Sequence, residues 1–222
     1  MSNHDHLLSQ VPFPWQDAHW RRLDRLRINN QLAHAYLIAG SAGLGLRFFA
    51  EKFAVKNPTI PNWGRAAQLY FEAQTYSLSA QKGQAMGAKA REYFEKILSK
   101  DPNNLLVKSN LAMTYVDTPT PMKGITLLRE VVEQDPTFVP ALFDLGLLSI
   151  KSNQYGKAQE RFAQILKLEP NNYKAELNLG YCLAQLDKEQ EAAKHLTRVS
   201  KESKDPEEVK AAKELLAEMQ KH

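Results

Sequence analysis

Cysteine is almost absent from this sequence, and so are long apolar runs. The 222 residues include one cysteine, Cys182, which excludes an internal disulfide framework and a metal site built from several cysteines. No apolar run reaches the roughly 18 residues of a membrane-spanning helix. The polar residues 1–10 lack the charged and then apolar order of a signal peptide. We therefore expect a cytoplasmic protein that uses no metal or other cofactor, with Cys182 as a small buried residue.

The chain also has little net charge of either sign. The chain carries 29 Lys and Arg against 25 Asp and Glu, a net charge of +4. Residues 1–57 hold seven of the basic and four of the acidic residues, so the rest of the chain is close to neutral. Four arginines between residues 21 and 27 are better explained as a solvated helix face than as a phosphate-binding patch. We therefore expect no direct binding of nucleic acid by most of the chain.

Pairs of an acidic residue and proline mark an internal repeat. Asp101-Pro102, Asp135-Pro136 and Glu169-Pro170 lie 34 residues apart, and Asp205-Pro206 follows after 36. Before each pair, apolar residues recur every three to four positions, as in Ala158, Phe162 and Ile165. After the first three pairs, a second helix carries a leucine followed by a small residue that lets helices approach closely: Leu111-Ala112, Leu145-Gly146 and Leu179-Gly180. A period of 34 predicts one helix–turn–helix unit per repeat.

The repeats resemble the tetratricopeptide repeat family, most fully in the copy from 139 to 172. The sequence departs from the family pattern at Gly124, where alanine is usual, and at Glu176, where a large apolar residue is common. The resemblance implies an all-α superhelix of repeats over residues 63–204, followed by a capping helix at 205–222. A first, less regular helix pair is predicted near residues 65–80 and 86–99.

Stacked repeats curve, and the first helix of each pair is expected to line the concave side. The residues predicted to face this groove are mostly apolar: Ser109, Met113, Val116, Phe143, Leu147, Ile150, Leu177 and Tyr181. The family's carboxylate-binding clamp uses lysines and asparagines; Asn110 and Asn178 are present, but a full basic set is missing. We therefore predict a non-enzymatic scaffold that binds an apolar or amphipathic segment of a protein or peptide partner. The alternative for each of these residues is packing between repeats.

The first quarter of the chain contains the frame of a phosphate-binding loop. A short apolar run at 33–39, predicted as a buried strand, precedes a glycine-rich loop and an apolar helix. The loop residues are Gly40, Gly43, Gly45, Leu46 and Arg47. Leu46 stands where a lysine would reach the phosphates, and Arg47 stands where a hydroxyl would hold magnesium. The loop is therefore predicted to be degenerate, without nucleotide hydrolysis.

This region resembles the N-terminus of the delta-prime subunit of the bacterial DNA polymerase III clamp loader. The resemblance rests on Pro14-Trp15, a following helix, His34-Ala35 and the glycine loop. It implies a fragment of an α/β domain at 13–57, after a polar tail at 1–12 and before a linker at 58–62, since no second strand pattern follows. The alternative function is thus a clamp-loader subunit in DNA replication, in contact with nucleic acid only through that complex. A natural fusion, an assembly artefact and an engineered chimera all remain open.

Overall fold

The computed structural model of the chain describes residues 54–75, 77, 80–116 and 118–220. Among these residues there are nine α-helices and no strand. The helices are α1 Ile60–Thr75, α2 Ala80–Leu98, α3 Leu105–Met113, α4 Pro121–Gln134, α5 Val139–Lys151, α6 Tyr155–Leu168, α7 Tyr173–Ala184, α8 Glu189–Glu202 and α9 Pro206–Met219. The all-α prediction is confirmed for this part of the chain. The predicted polar tail, the strand at 33–39 and the glycine loop lie outside the described residues.

The described part of the chain divides into two compact units, one ending at Gly124 and the other beginning at Ile125. In the first unit, α1 packs against α2 and α2 packs against α3. In the second unit, each helix from α5 to α9 packs against the next, and α9 also contacts α7. None of the helices in the described ranges carries an apolar stretch long enough to cross a membrane.

Each acidic-Pro pair lies at the junction between the end of one helix and the start of the next. After the first pair, the side chain of Asn104 accepts a hydrogen bond from the backbone N–H of Val107 at 3.0 Å and donates one to Asp101 at 2.9 Å. Asn172 repeats both bonds 68 residues later, with the N–H of Ala175 and with Glu169. Each asparagine thereby caps a helix N-terminus, where backbone N–H groups lack partners within the helix. Two of the predicted repeat boundaries are thus capping motifs, whereas after Asp135-Pro136 the N-cap residue Phe138 makes no side-chain capping bond.

The first helix pair differs from the prediction at its boundaries. Helix α1 begins at Ile60, inside the range predicted as a linker. The two prolines there favoured a linker, but Pro61 lies in the first helical turn, where proline is tolerated. The N–H of Trp63 bonds the carbonyl of Thr59 at 2.9 Å. Helix α2 begins at Ala80, earlier than predicted, and includes Gly83.

Glycines permit close packing between the two helices of a repeat. A Cβ at Gly146 would lie 2.6 Å from Cζ of Phe162, and a Cβ at Gly180 would lie 2.7 Å from Cδ2 of Leu196. Phe162 and Leu196 are fully buried. The prediction that small residues allow the helices to approach is therefore confirmed at both positions.

Cys182 is fully buried on α7, as predicted. Burial raises the pKa of its thiol from 9.0 to about 11, because a thiolate is poorly solvated in the core.

This shift predicts that stability falls at alkaline pH. Between pH 9 and 11 the unfolded chain loses the thiol proton while the folded chain keeps it, so the stabilisation present below pH 9 is lost progressively, by about 2–3 kcal/mol. The measurement is the free energy of unfolding in urea from pH 8 to 11 for wild type and Cys182→Ala. Wild type should lose more stability than the variant over this range. Parallel pH curves would contradict the prediction.

Candidate functional site

Apolar side chains line one face of α5 and one face of α7. Phe143, Leu147 and Ile150 are spaced by four and three residues on α5, which places them on the same side of the helix. Leu177 and Tyr181 are four residues apart on α7. Leu147 is 36% exposed; the other four are half-buried and pack against the core. The five residues therefore present apolar surface to solvent while four of them are held in place by contacts with the core.

Lys174 connects the two helices. Its ammonium nitrogen lies 5.1 Å from the centroid of the Phe143 ring, an arrangement in which the ring face attracts the cation. The Phe143 ring also meets the buried Phe162 ring edge to face, at 5.5 Å and 72°. Phe143 therefore contacts a core ring on α6 and the exposed ammonium group of Lys174 on α7, so the faces of α5 and α7 meet at this residue. We call Lys174 and the five apolar residues the α5–α7 face.

Tyr181 adds a polar group to this face. Its ring meets the Tyr155 ring edge to face at 6.1 Å, and the Tyr155 hydroxyl donates to Oδ1 of Asn153 at 3.0 Å. Burial and a hydrogen bond with Tyr155 raise the pKa of Tyr181. The Tyr181 hydroxyl is therefore neutral at ordinary pH.

The other predicted groove residues belong to the first unit. Met113 and Val116 are half-buried there. The prediction that Ser109 faces outward is wrong, because this serine is 1% exposed on α3. A small side chain at a groove position of the repeat gives no sequence signal that distinguishes burial from exposure. The residues of the predicted phosphate loop lie outside the described part of the chain: Gly40, Gly43, Gly45, Leu46 and Arg47.

Sequence reasoning missed a buried polar cluster around Glu176. This carboxylate is 2% exposed; one oxygen lies 2.7 Å from Nη1 of Arg198 and the other 3.1 Å from Nδ1 of His195. Arg198 also donates to the carbonyl of Pro170 and to Oδ1 of Asn171. The cluster thus ties the turn before α7 to α8. The available signal was Glu176 at an apolar position, with His195 and Arg198 one turn apart on the next helix.

The chemistry of the site is that of a contact surface. Both oxygens of Glu176 are engaged, so the cluster around it holds helices together. No group of three or more His, Cys, Asp or Glu in the described ranges could hold a metal ion. The α5–α7 face offers apolar and aromatic area, one ammonium and one hydroxyl. These groups suit the recognition of another chain.

Comparison with known proteins agrees with the repeat. Residues 149–216 match the tetratricopeptide repeat family. Hsp70-Hsp90 organizing protein 1 of Glycine max is 25% identical over 126 residues, which are 54% of this chain and 22% of that protein. The BBSome complex member BBS4 homolog of Drosophila melanogaster is 28% identical over 107 residues, 48% of this chain and 22% of that protein. The chain therefore spans about a fifth of the length of these curated relatives.

Solved structures share the fold. A crystal structure of MamA superposes with a TM-score of 0.53 at 16% identity, covering 80% of this chain and 90% of that chain. YrrB, described as a TPR protein with an unusual peptide-binding site, gives a TM-score of 0.52 at 21% identity and covers 73% and 89%. None of these comparisons supports the predicted clamp-loader resemblance of residues 13–55. The family match, the 34-residue period and the paired helices together identify residues 149–216 as a tetratricopeptide repeat region.

Proposed function

We propose that the protein is a non-enzymatic interaction scaffold that binds a segment of a protein partner on the α5–α7 face. The observation that carries this proposal is Leu147, which is 36% exposed beside half-buried aromatic rings within a repeat fold. Apolar residues grouped on one surface are typical of sites where another chain binds. The names of two similar proteins support the proposal. One is Hsp70-Hsp90 organizing protein 1, and the other is YrrB, described as having an unusual peptide-binding site.

The chemistry of the face indicates the kind of segment that fits. Phe143 and Tyr181 are rigid rings held by edge-to-face contacts, and rings of this kind are common anchors in protein interfaces. Lys174 and the Tyr181 hydroxyl supply polar contacts at the same surface. We therefore propose an amphipathic partner segment whose apolar side chains contact Leu147 and its neighbours. Met113 and Val116, in the first unit, stay predicted contact residues and form no part of the proposed α5–α7 face.

Helix α9 is proposed to cap the repeats. It contacts both α7 and α8, and its Ala212 is fully buried. Asp205 caps its start by accepting a hydrogen bond from the N–H of Glu207 at 2.9 Å. A terminal helix that covers the last repeat protects its apolar face from water. A cytoplasmic location stays a prediction.

The test compares two leucines of similar exposure. Peptides are selected from a capped random library on the full chain, and their affinities are measured by fluorescence anisotropy for wild type, Leu147→Glu and Leu168→Glu. Leu168 is 40% exposed at the end of α6 and lies outside the α5–α7 face. We expect Leu147→Glu to weaken binding about tenfold or more, since a buried charge in the interface costs free energy. Leu168→Glu should bind as wild type does.

Two results would refute the proposal. One is the failure of any selected peptide to bind the wild-type chain. The other is equal affinity of wild type and Leu147→Glu for the selected peptides. Helical circular dichroism of both variants controls for folding, because neither leucine belongs to the fully buried core.

A further inference from the structure

The turn between α3 and α4 contains two threonines that each precede a proline, Thr118-Pro119 and Thr120-Pro121. This turn belongs to the first unit and carries none of the residues of the α5–α7 face. A proline restricts the residue before it to extended backbone, so both threonines are held out of the helical conformation. Pro119, Thr120 and Pro121 are exposed. The side chain of Thr120 is therefore accessible to an enzyme that modifies side chains.

The two threonine hydroxyls differ in their hydrogen bonds. Oγ1 of Thr118 donates to the carbonyl of Tyr115 at 2.7 Å and accepts the backbone N–H of Thr120 at 3.2 Å. Because a hydroxyl has only one proton, the 3.3 Å contact between the two hydroxyl oxygens is a bond that Thr120 donates to Thr118. Thr118 is half-buried and holds the turn together. The lone pairs of the Thr120 oxygen accept no hydrogen bond from the described residues, so this oxygen is the available nucleophile of the turn.

Two cations lie beside this turn, on the ring of Tyr115. Nζ of Lys123 lies 4.7 Å from the ring centroid, and Cζ of Arg91 lies 4.9 Å from the same centroid. Nη1 of Arg91 also donates to the carbonyl of Thr114 at 2.9 Å. Neither cation forms an ion pair with a carboxylate of the described residues. One aromatic ring thus brings together two cations that come from α2 and α4.

Lys123 lies within reach of a group attached to Thr120. The backbone N–H of Lys123 donates to the carbonyl of Thr120 at 3.1 Å, and side chains three residues apart are neighbours on a helical turn. Lys123 is exposed, so its flexible stem can carry the ammonium group to such a neighbour. The pKa of Lys123 is raised by a hydrogen bond with Tyr115 and by the charge of Glu95, while Arg91 opposes this shift. Two cations against one carboxylate leave an excess of positive charge beside the turn, among the residues that the structure describes.

A phosphate on Thr120 matches this excess of charge. It carries a charge of about −1.5 to −2 near pH 7 and three acceptor oxygens, which pair with lysine and arginine. We propose that Thr120 is phosphorylated by a proline-directed protein kinase and that Lys123 and Arg91 bind the attached phosphate. The γ-phosphoryl group leaves a nucleoside triphosphate, whose bond to the nucleoside diphosphate breaks. A new P–O bond forms at Oγ1 of Thr120, and the hydroxyl proton is released. The phosphate then ties the turn between α3 and α4 to cations on α2 and α4.

The first measurement is the incorporation of phosphate. The full chain is incubated with a proline-directed kinase and magnesium ATP, and the modified residue is located by mass spectrometry. We expect the phosphate on Thr120 and a loss of incorporation of about tenfold or more in Thr120→Val. Thr118→Val should be phosphorylated to the same extent as wild type, because it keeps the exposed hydroxyl. A chain that is not phosphorylated, or is phosphorylated on Thr118 as much as on Thr120, overturns the proposal.

The second measurement tests the two cations on the phosphorylated chain. A pH titration by phosphorus nuclear magnetic resonance gives the second pKa of the phosphate in wild type, Lys123→Gln, Arg91→Gln and Lys100→Gln. Because a nearby cation favours the dianion, this pKa should be higher in Lys123→Gln and Arg91→Gln than in wild type. Lys100 is an exposed lysine in the turn before α3, and its loss should leave the pKa unchanged. Equal pKa values in wild type and Lys123→Gln would overturn the assignment of the cations, and so would an equal rise in Lys100→Gln.

Discussion

Replacing Gly124 with alanine should lower the free energy of unfolding by about 1–3 kcal/mol. A Cβ at this position would collide with the carbonyl oxygen of Ala112 and lie 3.3 Å from Cβ of Tyr115. The obstructing oxygen belongs to the backbone, so α4 and the end of α3 must move apart to admit the methyl group. Alanine favours the helical conformation over glycine by up to about 1 kcal/mol. The expected loss of about 1–3 kcal/mol is therefore the steric cost of the added methyl group less this gain in helix propensity.

Gly156→Ala is the matched control. Apart from its chain neighbours and the nearby backbone of its own helix, no heavy atom of the described residues lies within 4 Å of a Cβ at Gly156, which is exposed on α6. This substitution should leave stability unchanged or raise it by up to about 1 kcal/mol. Urea unfolding followed by circular dichroism measures both variants. If Gly124→Ala proved as stable as wild type, α3 and α4 would have more freedom to separate than their packing implies.

The sequence pattern identified Gly124 as unusual without explaining why. The 34-residue period predicted a helix pair there, and the structure contains α3 and α4 at those positions. Periodicity reports which residues share a helical face, but the distance between two helices depends on side chains that meet only after folding. A departure from the family's alanine was therefore visible in the sequence, while the close approach of the Ala112 carbonyl was not.

At the candidate site, too, the sequence predicts which residues share a helical face but not which residues of different helices are in contact. Spacing placed Phe143, Leu147 and Ile150 on one helical face. It could not show that Lys174 covers the Phe143 ring, because that contact depends on how one repeat stacks on the next. Ser109 illustrates the reverse error, since a groove position of the repeat turned out to be buried. Local periodicity predicts faces, and tertiary packing decides their exposure.

The second large effect on the free energy of unfolding is expected in the polar cluster around Glu176. Arg198→Met should destabilise the protein by about 2–4 kcal/mol. Removing one partner of a fully buried ion pair costs about 3–5 kcal/mol, because the remaining charge is left without compensation. The expected loss is smaller here since Arg198 is 34% exposed and His195 still contacts Glu176, which is 2% exposed. Urea unfolding of the full chain measures the change.

A double-mutant cycle separates the pair from its surroundings. Glu176→Leu alone should cost little, because it restores the apolar residue common at this position of the repeat, and Arg198 keeps its bonds to Pro170, Asn171 and Glu202. In Glu176→Leu the further change Arg198→Met should then cost at least about 1 kcal/mol less than it costs in wild type. Equal costs in both backgrounds would mean that Arg198 stabilises the fold through its bonds to the turn at 170–171. If Arg198→Met costs less in Glu176→Leu than in wild type, the main role of Arg198 is to compensate the buried carboxylate of Glu176.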